Sequence, residues 1–143
     1  MSICTFFGNK NASGKIKDAL MSEVNKLIVE EKADTFYVGS HGNFDSLVYQ
    51  VLKELSEKYN FDYFIVLAYL PTKARDPLIN DPAHTIIPDG IESVPPRFAI
   101  LYRNKWMIQR SDFVIAHIKN DIGSGAAKAV GYAVKQNKKV ISI

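Results

Sequence analysis

A chain of 143 residues, 47% hydrophobic and 23% charged, has the length and composition of one soluble globular domain with a sizeable core. Its longest apolar runs, such as 64–70, stop far short of the ~20 residues that cross a bilayer, which excludes a membrane span. Net charge is +3, from 18 basic and 15 acidic residues. The cations are scattered over the expected helices, so an anionic small ligand fits better than nucleic acid, which is not expected as a partner. The opening Met-Ser-Ile-Cys-Thr-Phe-Phe lacks a basic n-region and an A-x-A-like cleavage site, so a cytoplasmic location is expected. The lone Cys4 cannot form an internal disulfide, in keeping with a reducing compartment, and within its apolar run it reads as a buried structural thiol.

Residues 3–7 read as a short buried strand closed by Gly8-Asn9-Lys10. A helix follows from about Ser13, with Ile16, Ala19, Leu20, Leu27 and Ile28 at helical spacing. Residues 35–38 form a second strand ending at Gly39. Phe44, Leu47, Val48, Val51, Leu52 and Leu55 then fall at i, i+3, i+4, i+7, i+8 and i+11, the clearest helical signal in the chain. Residues 63–70 are a third strand, rich in aromatic and branched residues. Residues 71–96 hold all six prolines and read as a long loop, of the kind that is either functional or a plain connector. Helix returns over 97–110, then a strand over 113–118. Gly123-Ser124-Gly125 opens an alanine-rich helix to about Gln136, and a strand over 140–143 closes the order. Alternating strands and helices predict right-handed parallel crossovers with helices on both faces. The expectation is one α/β domain over 1–143: a Rossmann-like three-layer α/β/α arrangement around a mainly parallel five-stranded sheet.

Ligands of such sheets lie beyond the carboxyl ends of the strands. Three glycine-containing turns occupy that position: Gly8-Asn9-Lys10, Gly39-Ser40-His41-Gly42 and Gly123-Ser124-Gly125. Glycine lets backbone approach a ligand closely, and the free N–H groups of a helix start point at an anion. Any one of these glycines could simply make a tight turn, but three converging loops point to a nucleotide-like small molecule bearing phosphate. Neither G-x-G-x-x-G nor G-x-x-x-x-G-K-[ST] occurs, so dinucleotide and P-loop readings fall away and no cofactor is expected. His41, His84 and His117 are far apart in sequence, and no metal site is expected.

Several polar residues are candidates for the site. Asp45 falls in the first turn of a helix, where a carboxylate suits the dipole, and Lys10 could meet a phosphate. His41 lies in the second glycine turn. Arg103 carries a guanidinium that forks to paired oxygens, which suits either a phosphate or a structural ion pair. Asn104 shares a helical face with Arg97, seven residues away, whereas Trp106 reads as core or interface packing. Glu92, before Ser93-Val94-Pro95-Pro96, is with Asp45 the carboxylate available for acid–base work.

Phe6-Phe7-Gly8-Asn9-Lys10 resembles the first strand-loop of the SLOG superfamily, which includes YpsA-like proteins, DprA and the LONELY GUY enzymes. Gly39-Ser40-His41-Gly42-Asn43-Phe44-Asp45 is similar to that group's G-x-x-x-G-x-D turn. Arg103-Asn104-Lys105-Trp106-Met107 and Ser111-Asp112-Phe113-Val114-Ile115-Ala116 resemble a segment of YpsA-like members, and Gly123-Ser124-Gly125-Ala126 stands where they carry Gly-Gly-Thr or Gly-Gly-Ala. The resemblance runs from Cys4 to Ile143 with its motifs in the family's order. It implies a nucleotide-binding Rossmann-like fold, often dimeric, and a role for Asp45 on ribose hydroxyls. The phosphoribohydrolase branch places a catalytic glutamate in P-G-G-x-G-T-x-x-E, where this chain reads Gly123-Ser124-Gly125-Ala126-Ala127-Lys128, with no acid.

The leading expectation is a protein that binds or senses a nucleotide-derived ligand without cleaving it. One alternative is a nucleoside monophosphate phosphoribohydrolase-like N-glycosidase using Glu92 or Asp45. A second is a DNA-associated, DprA-like adaptor. A homo-oligomer is expected because the 97–110 segment is apolar around much of its circumference.

Overall fold

A computed structural model describes residues 2–69, 81–119 and 124–143. Six parallel strands form one sheet in the order β4-β3-β2-β1-β5-β6. They are β1 (Ser2–Gly8), β2 (Ala33–Val38), β3 (Asp62–Val66), β4 (Thr85–Ile86), β5 (Phe113–His117) and β6 (Lys139–Ser142). Four helices connect them: α1 (Lys17–Glu30), α2 (Gly42–Leu55), α3 (Ala99–Gln109) and α4 (Gly125–Lys135). The chain builds outward from β1 through β4, then returns to lay β5 on the other side of β1. Right-handed crossovers in opposite directions put α1 and α2 on one face and α3 and α4 on the other. The packing follows suit, α1 against α2 and α3 against α4.

Burial on both faces explains why β1 is apolar without alternation. Cys4 and Phe6 point into the α1/α2 side, among Leu20, Val24, Phe36, Phe44, Val48 and Ile65. Phe7 faces the other way, among Met107, Ile108, Val114, Ala129 and Ala133. That is the period-2 alternation of a strand with two cores instead of one. The small residues Ala129 and Ala133 let α4 lie close to the sheet. The Cys4 thiol is fully buried, and that burial pushes its pKa up, as befits a packing residue.

The sheet has six strands where five were expected. The added strand, Thr85–Ile86, lies within the long proline-rich loop and pairs with Ile65 and Val66 of β3. Two residues are too few to carry a periodicity. The strand is held in place from outside: Asp81 accepts from Tyr49 Oη at 2.7 Å and from His84 Nδ1 at 2.9 Å, and the His84 ring stacks on Tyr63 at 4.0 Å. Helix α3 begins at Ala99 and not at Arg97, because Pro95 and Pro96 set a 3-10 turn over Pro96–Phe98 ahead of it. Arg97 therefore leaves the helical face it was expected to share with Asn104, and stacks its guanidinium over Phe98 at 4.8 Å. The third strand ends at Val66; Leu70 of the expected 63–70 strand lies outside the described residues.

Candidate functional site at the carboxyl end of the sheet

Strand order reverses between β1 and β5, and an open α/β sheet has its natural crevice outside the carboxyl ends of those strands. The loops after β1, β2 and β5 meet there. Asn9 donates its backbone N–H to the His117 carbonyl at 3.2 Å and its side-chain amide to the Lys119 carbonyl at 3.3 Å. Asn43 donates its backbone N–H to the Lys10 carbonyl at 2.8 Å. The first loop is thereby tied to both of its neighbours. Gly123 lies outside the described residues, as do 120–122.

Three of the described glycines in these loops, Gly8, Gly39 and Gly42, have a structural reason. At Gly8 the missing side chain leaves room for the ring of Phe44, which is itself buried. Gly42 adopts φ +88°, and a Cβ there would meet the Lys10 backbone Cα at 2.9 Å. Gly39 lies between two charged groups: a Cβ would stand 2.8 Å from Asp45 Oδ2 and 3.0 Å from Arg103 Nη1. Gly125 has open space around it. It follows Ser124, the N-cap of α4, whose hydroxyl accepts from the Ala127 N–H at 3.1 Å.

Beneath the loops lies a buried polar cluster. Arg103 is only 4% exposed. Its Nε donates to Asn104 Oδ1 at 2.9 Å and its Nη1 to the Val66 carbonyl at 3.1 Å, at the end of β3. Asn104 is buried beside it. Asp45 Oδ2 accepts the His41 N–H at 3.0 Å, which closes the turn into α2. Burial lifts the Asp45 carboxyl to about 6, against the opposing pull of Arg103 and the His41 N–H. Burial also draws the Arg103 guanidinium below its ordinary range, opposed by Asp45. Ser40 is buried with its hydroxyl 3.4 Å from His41 Nδ1, and the His41 ring meets Tyr69 edge-on at 6.2 Å.

The structure brings Gly8, Asn9, Lys10, Gly39, Ser40, His41, Gly42 and Asp45 to one rim, with Arg103 and Asn104 below it. Lys10 is exposed at the top. Asp45 and Arg103 spend their polar atoms inward, on backbone and on neighbouring side chains. Glu92 stays apart, exposed on the 3-10 turn Ile91–Ser93. His117 was not singled out from the sequence as a site residue. It ends β5, donates Nδ1 to the Ile143 carbonyl at 3.0 Å and stacks against Phe44. Only its place at the end of a strand beside the switch point could have marked it.

Protonating the buried carboxyl has a consequence for stability. The ordinary Asp value is 3.8 and the folded one about 6, so the folded state holds the Asp45 proton more tightly than the unfolded state. The contribution is complete below about pH 4, is lost as pH rises to about 6, and amounts to roughly 3 kcal/mol. Asp45→Asn removes this dependence. Urea unfolding at about pH 7 and about pH 5 should show the wild type gaining more stability at the lower pH than the variant does.

A Rossmann-like α/β domain, with strand-end loops tied to one another beside β1, is what these elements define. No family model matches the chain, and no curated protein matches it. Among solved structures, the chain is similar to DNA processing protein A from Helicobacter pylori, studied for its single-stranded DNA binding mode. The TM-score is 0.69 at 16% sequence identity, over 99% of this chain and 64% of that one. The present chain thus spans less than two thirds of that chain's length. This likeness corrects one expectation from the sequence. The expectation that nucleic acid is no partner is contradicted: the same fold, matched over nearly the whole chain, occurs in a protein studied for its single-stranded DNA binding. Composition misled because scattered positions in a sequence say little about where cations gather in space. In the described residues no helix is long and apolar enough to cross a membrane.

Proposed function

We propose that this chain is a SLOG-type protein that binds a nucleotide unit at the crevice between the ends of β1 and β5, and does not cleave it. The observation that carries this reading is the mutual anchoring of the three loops, Asn9 to Lys119 on one side and Lys10 to Asn43 on the other. Loops tied to one another are organised before the ligand arrives, so less entropy is lost on binding. The exposed Lys10 and the positive end of the α2 dipole supply positive potential for a phosphate. Titration calorimetry with AMP, GMP, CMP and UMP tests it: saturable binding of at least one is expected, and none by any of the four would end the proposal.

A second reading is favoured by the fold likeness to a protein that binds single-stranded DNA: the nucleotide unit belongs to a single strand. Oligothymidylate then binds more tightly than the mononucleotide, with affinity falling steeply as salt rises.

Glycosidic cleavage builds positive charge on the ribose and calls for a carboxylate facing it. Asp45 is turned onto the His41 N–H, Glu92 stands on a separate turn, and α4 offers the exposed Lys128 in its first turn. Incubation with the four mononucleotides should release no free base above the uncatalysed rate, as followed by chromatography. Base release abolished by Asp45→Asn or Glu92→Gln would establish the hydrolase alternative instead.

Self-association belongs to the same proposal. Phe98 and Leu101 are each 46% exposed and Tyr102 36%, an apolar edge on and beside α3 suited to a second copy. Sedimentation at tens of micromolar protein should give a species heavier than the 16.0 kDa monomer.

A further inference from the structure

Net charge is unevenly divided along the chain, and the fold gathers the basic half's helices on one face. Residues 97–143 hold nine Lys and Arg against Asp112 and Asp121, a net of +7, while residues 1–96 hold nine against thirteen acids, a net of −4. The helices divide the same way. On one face α1 and α2 mix both signs, and Lys17 pairs with Glu54 at 2.9 Å. On the other face neither α3 nor α4 contains a single Asp or Glu.

The basic side chains of that second face meet along one seam. Lys105 of α3 lies over the Tyr132 ring of α4 at 5.2 Å, and Gln109, one turn further along α3, donates to Tyr132 Oη at 2.9 Å. Lys128 and Lys135 flank Tyr132 on α4 at i−4 and i+3, within about 60° of it around the helix. Lys138 reaches the Gln109 carbonyl at 3.5 Å. Lys105, Lys128 and Lys135 are exposed. Among the described residues, none of these cations has a carboxylate at ion-pair distance. Asp112, near in sequence, is turned away and accepts the Ile3 N–H at 3.0 Å. Gathering like charges without counter-charges costs stability, a cost that a polyanionic partner removes by displacing the counterions.

We propose that the α3–α4 seam is a binding track for the phosphodiester backbone of a single-stranded nucleic acid. This inference rests on the proposed nucleotide crevice. In a parallel α/β fold the helices run back from the carboxyl ends of the strands, so α4 starts beside the crevice. From there Lys128 and Lys135 continue the positive stripe down the face for about 10 Å. A strand with one nucleotide in the crevice can lay its following phosphates along this stripe. A free mononucleotide ends before reaching it.

The test compares wild type with the triple variant Lys105→Gln, Lys135→Gln, Lys138→Gln. The probe is a fluorescent oligothymidylate roughly 20 nucleotides long, longer than a typical single-strand site. Three lost phosphate contacts should lower the slope of log affinity against log salt by about 2, and weaken binding at about 0.1 M salt by on the order of a hundredfold. The variant should melt at the same temperature or higher, since like charges have been removed, and should bind mononucleotide as the wild type does. An unchanged slope overturns the track. So does binding of phosphatidylserine vesicles in place of the oligonucleotide, and so does a salt-independent assembly of copies that the triple variant dissociates. The two proposals fail separately. If no mononucleotide binds but the triple variant still loses oligonucleotide, the crevice reading falls and the track stands. If mononucleotide binds and the slope does not move, the track falls alone.

Discussion

Replacing Arg103 by Met is expected to cost about 3–5 kcal/mol and to lower Tm by about 10 °C. The guanidinium is 4% exposed and joins three elements: its own helix through Asn104, the end of β3 through the Val66 carbonyl, and the turn into α2 through the charge of Asp45. Methionine fills the volume but leaves the Val66 carbonyl and Asn104 Oδ1 without their donors, and Asp45 without its cation. An unsatisfied buried polar group costs roughly 1–3 kcal/mol. Arg103→Lys should recover only part of this, since an ammonium cannot reproduce the planar fork. The double variant Arg103→Met, Asp45→Asn should be more stable than the sum of the singles predicts, because the two side chains are coupled through charge. Urea denaturation of all four proteins measures this directly. Additive losses would mean that the pair does not interact.

The behaviour of this cluster also shows what the sequence could and could not reveal. The helices and long strands announced themselves, since a covered parallel strand such as β1 must be apolar throughout and α2 must repeat its apolar residues every third or fourth position. That the glycine turns fall between strand and helix, at the carboxyl ends of the strands, was legible as well. What the residues at those turns do was hidden, because it depends on partners distant in sequence. Gly8 is explained by Phe44, 36 positions on, and Gly39 by Asp45 and Arg103 together. Arg103 was open to two readings, a phosphate ligand or a structural ion pair, and only the fold shows it buried beneath the loops beside Asp45. The basic bias of residues 97–143 is countable in the sequence, but the seam itself is not. Its residues lie on two helices separated by a strand, and only packing sets Lys105 against Tyr132.

Gly42→Ala is expected to lower stability by about 2 kcal/mol and to weaken nucleotide binding by considerably more than that loss alone implies. Two costs act at this position. Its φ of +88° is one that L residues rarely adopt, a strain on the order of 1 kcal/mol or more. The added Cβ also meets the Lys10 backbone at 2.9 Å, so the first loop must retreat and the bond from Asn43 N–H to the Lys10 carbonyl must stretch or break. That bond is one of the ties that organise the crevice, so the ligand feels the change twice, through altered geometry and through greater loop entropy. Gly42→Asn separates the two costs. Asparagine tolerates positive φ better than alanine, but it carries the same Cβ, so stability should improve while binding stays impaired. Gly125→Ala provides the opposite control. Nothing lies within 4 Å of a Cβ there and φ is not positive, so folding should be unaffected or slightly improved by the better helix former. If a phosphate approaches the start of α4, affinity at Gly125→Ala falls with no change in melting temperature. Calorimetric titration of the three variants, each with its own melting curve, tests this. Wild-type affinity in a folded Gly42→Ala would show that the ligand does not use the anchored loops at all.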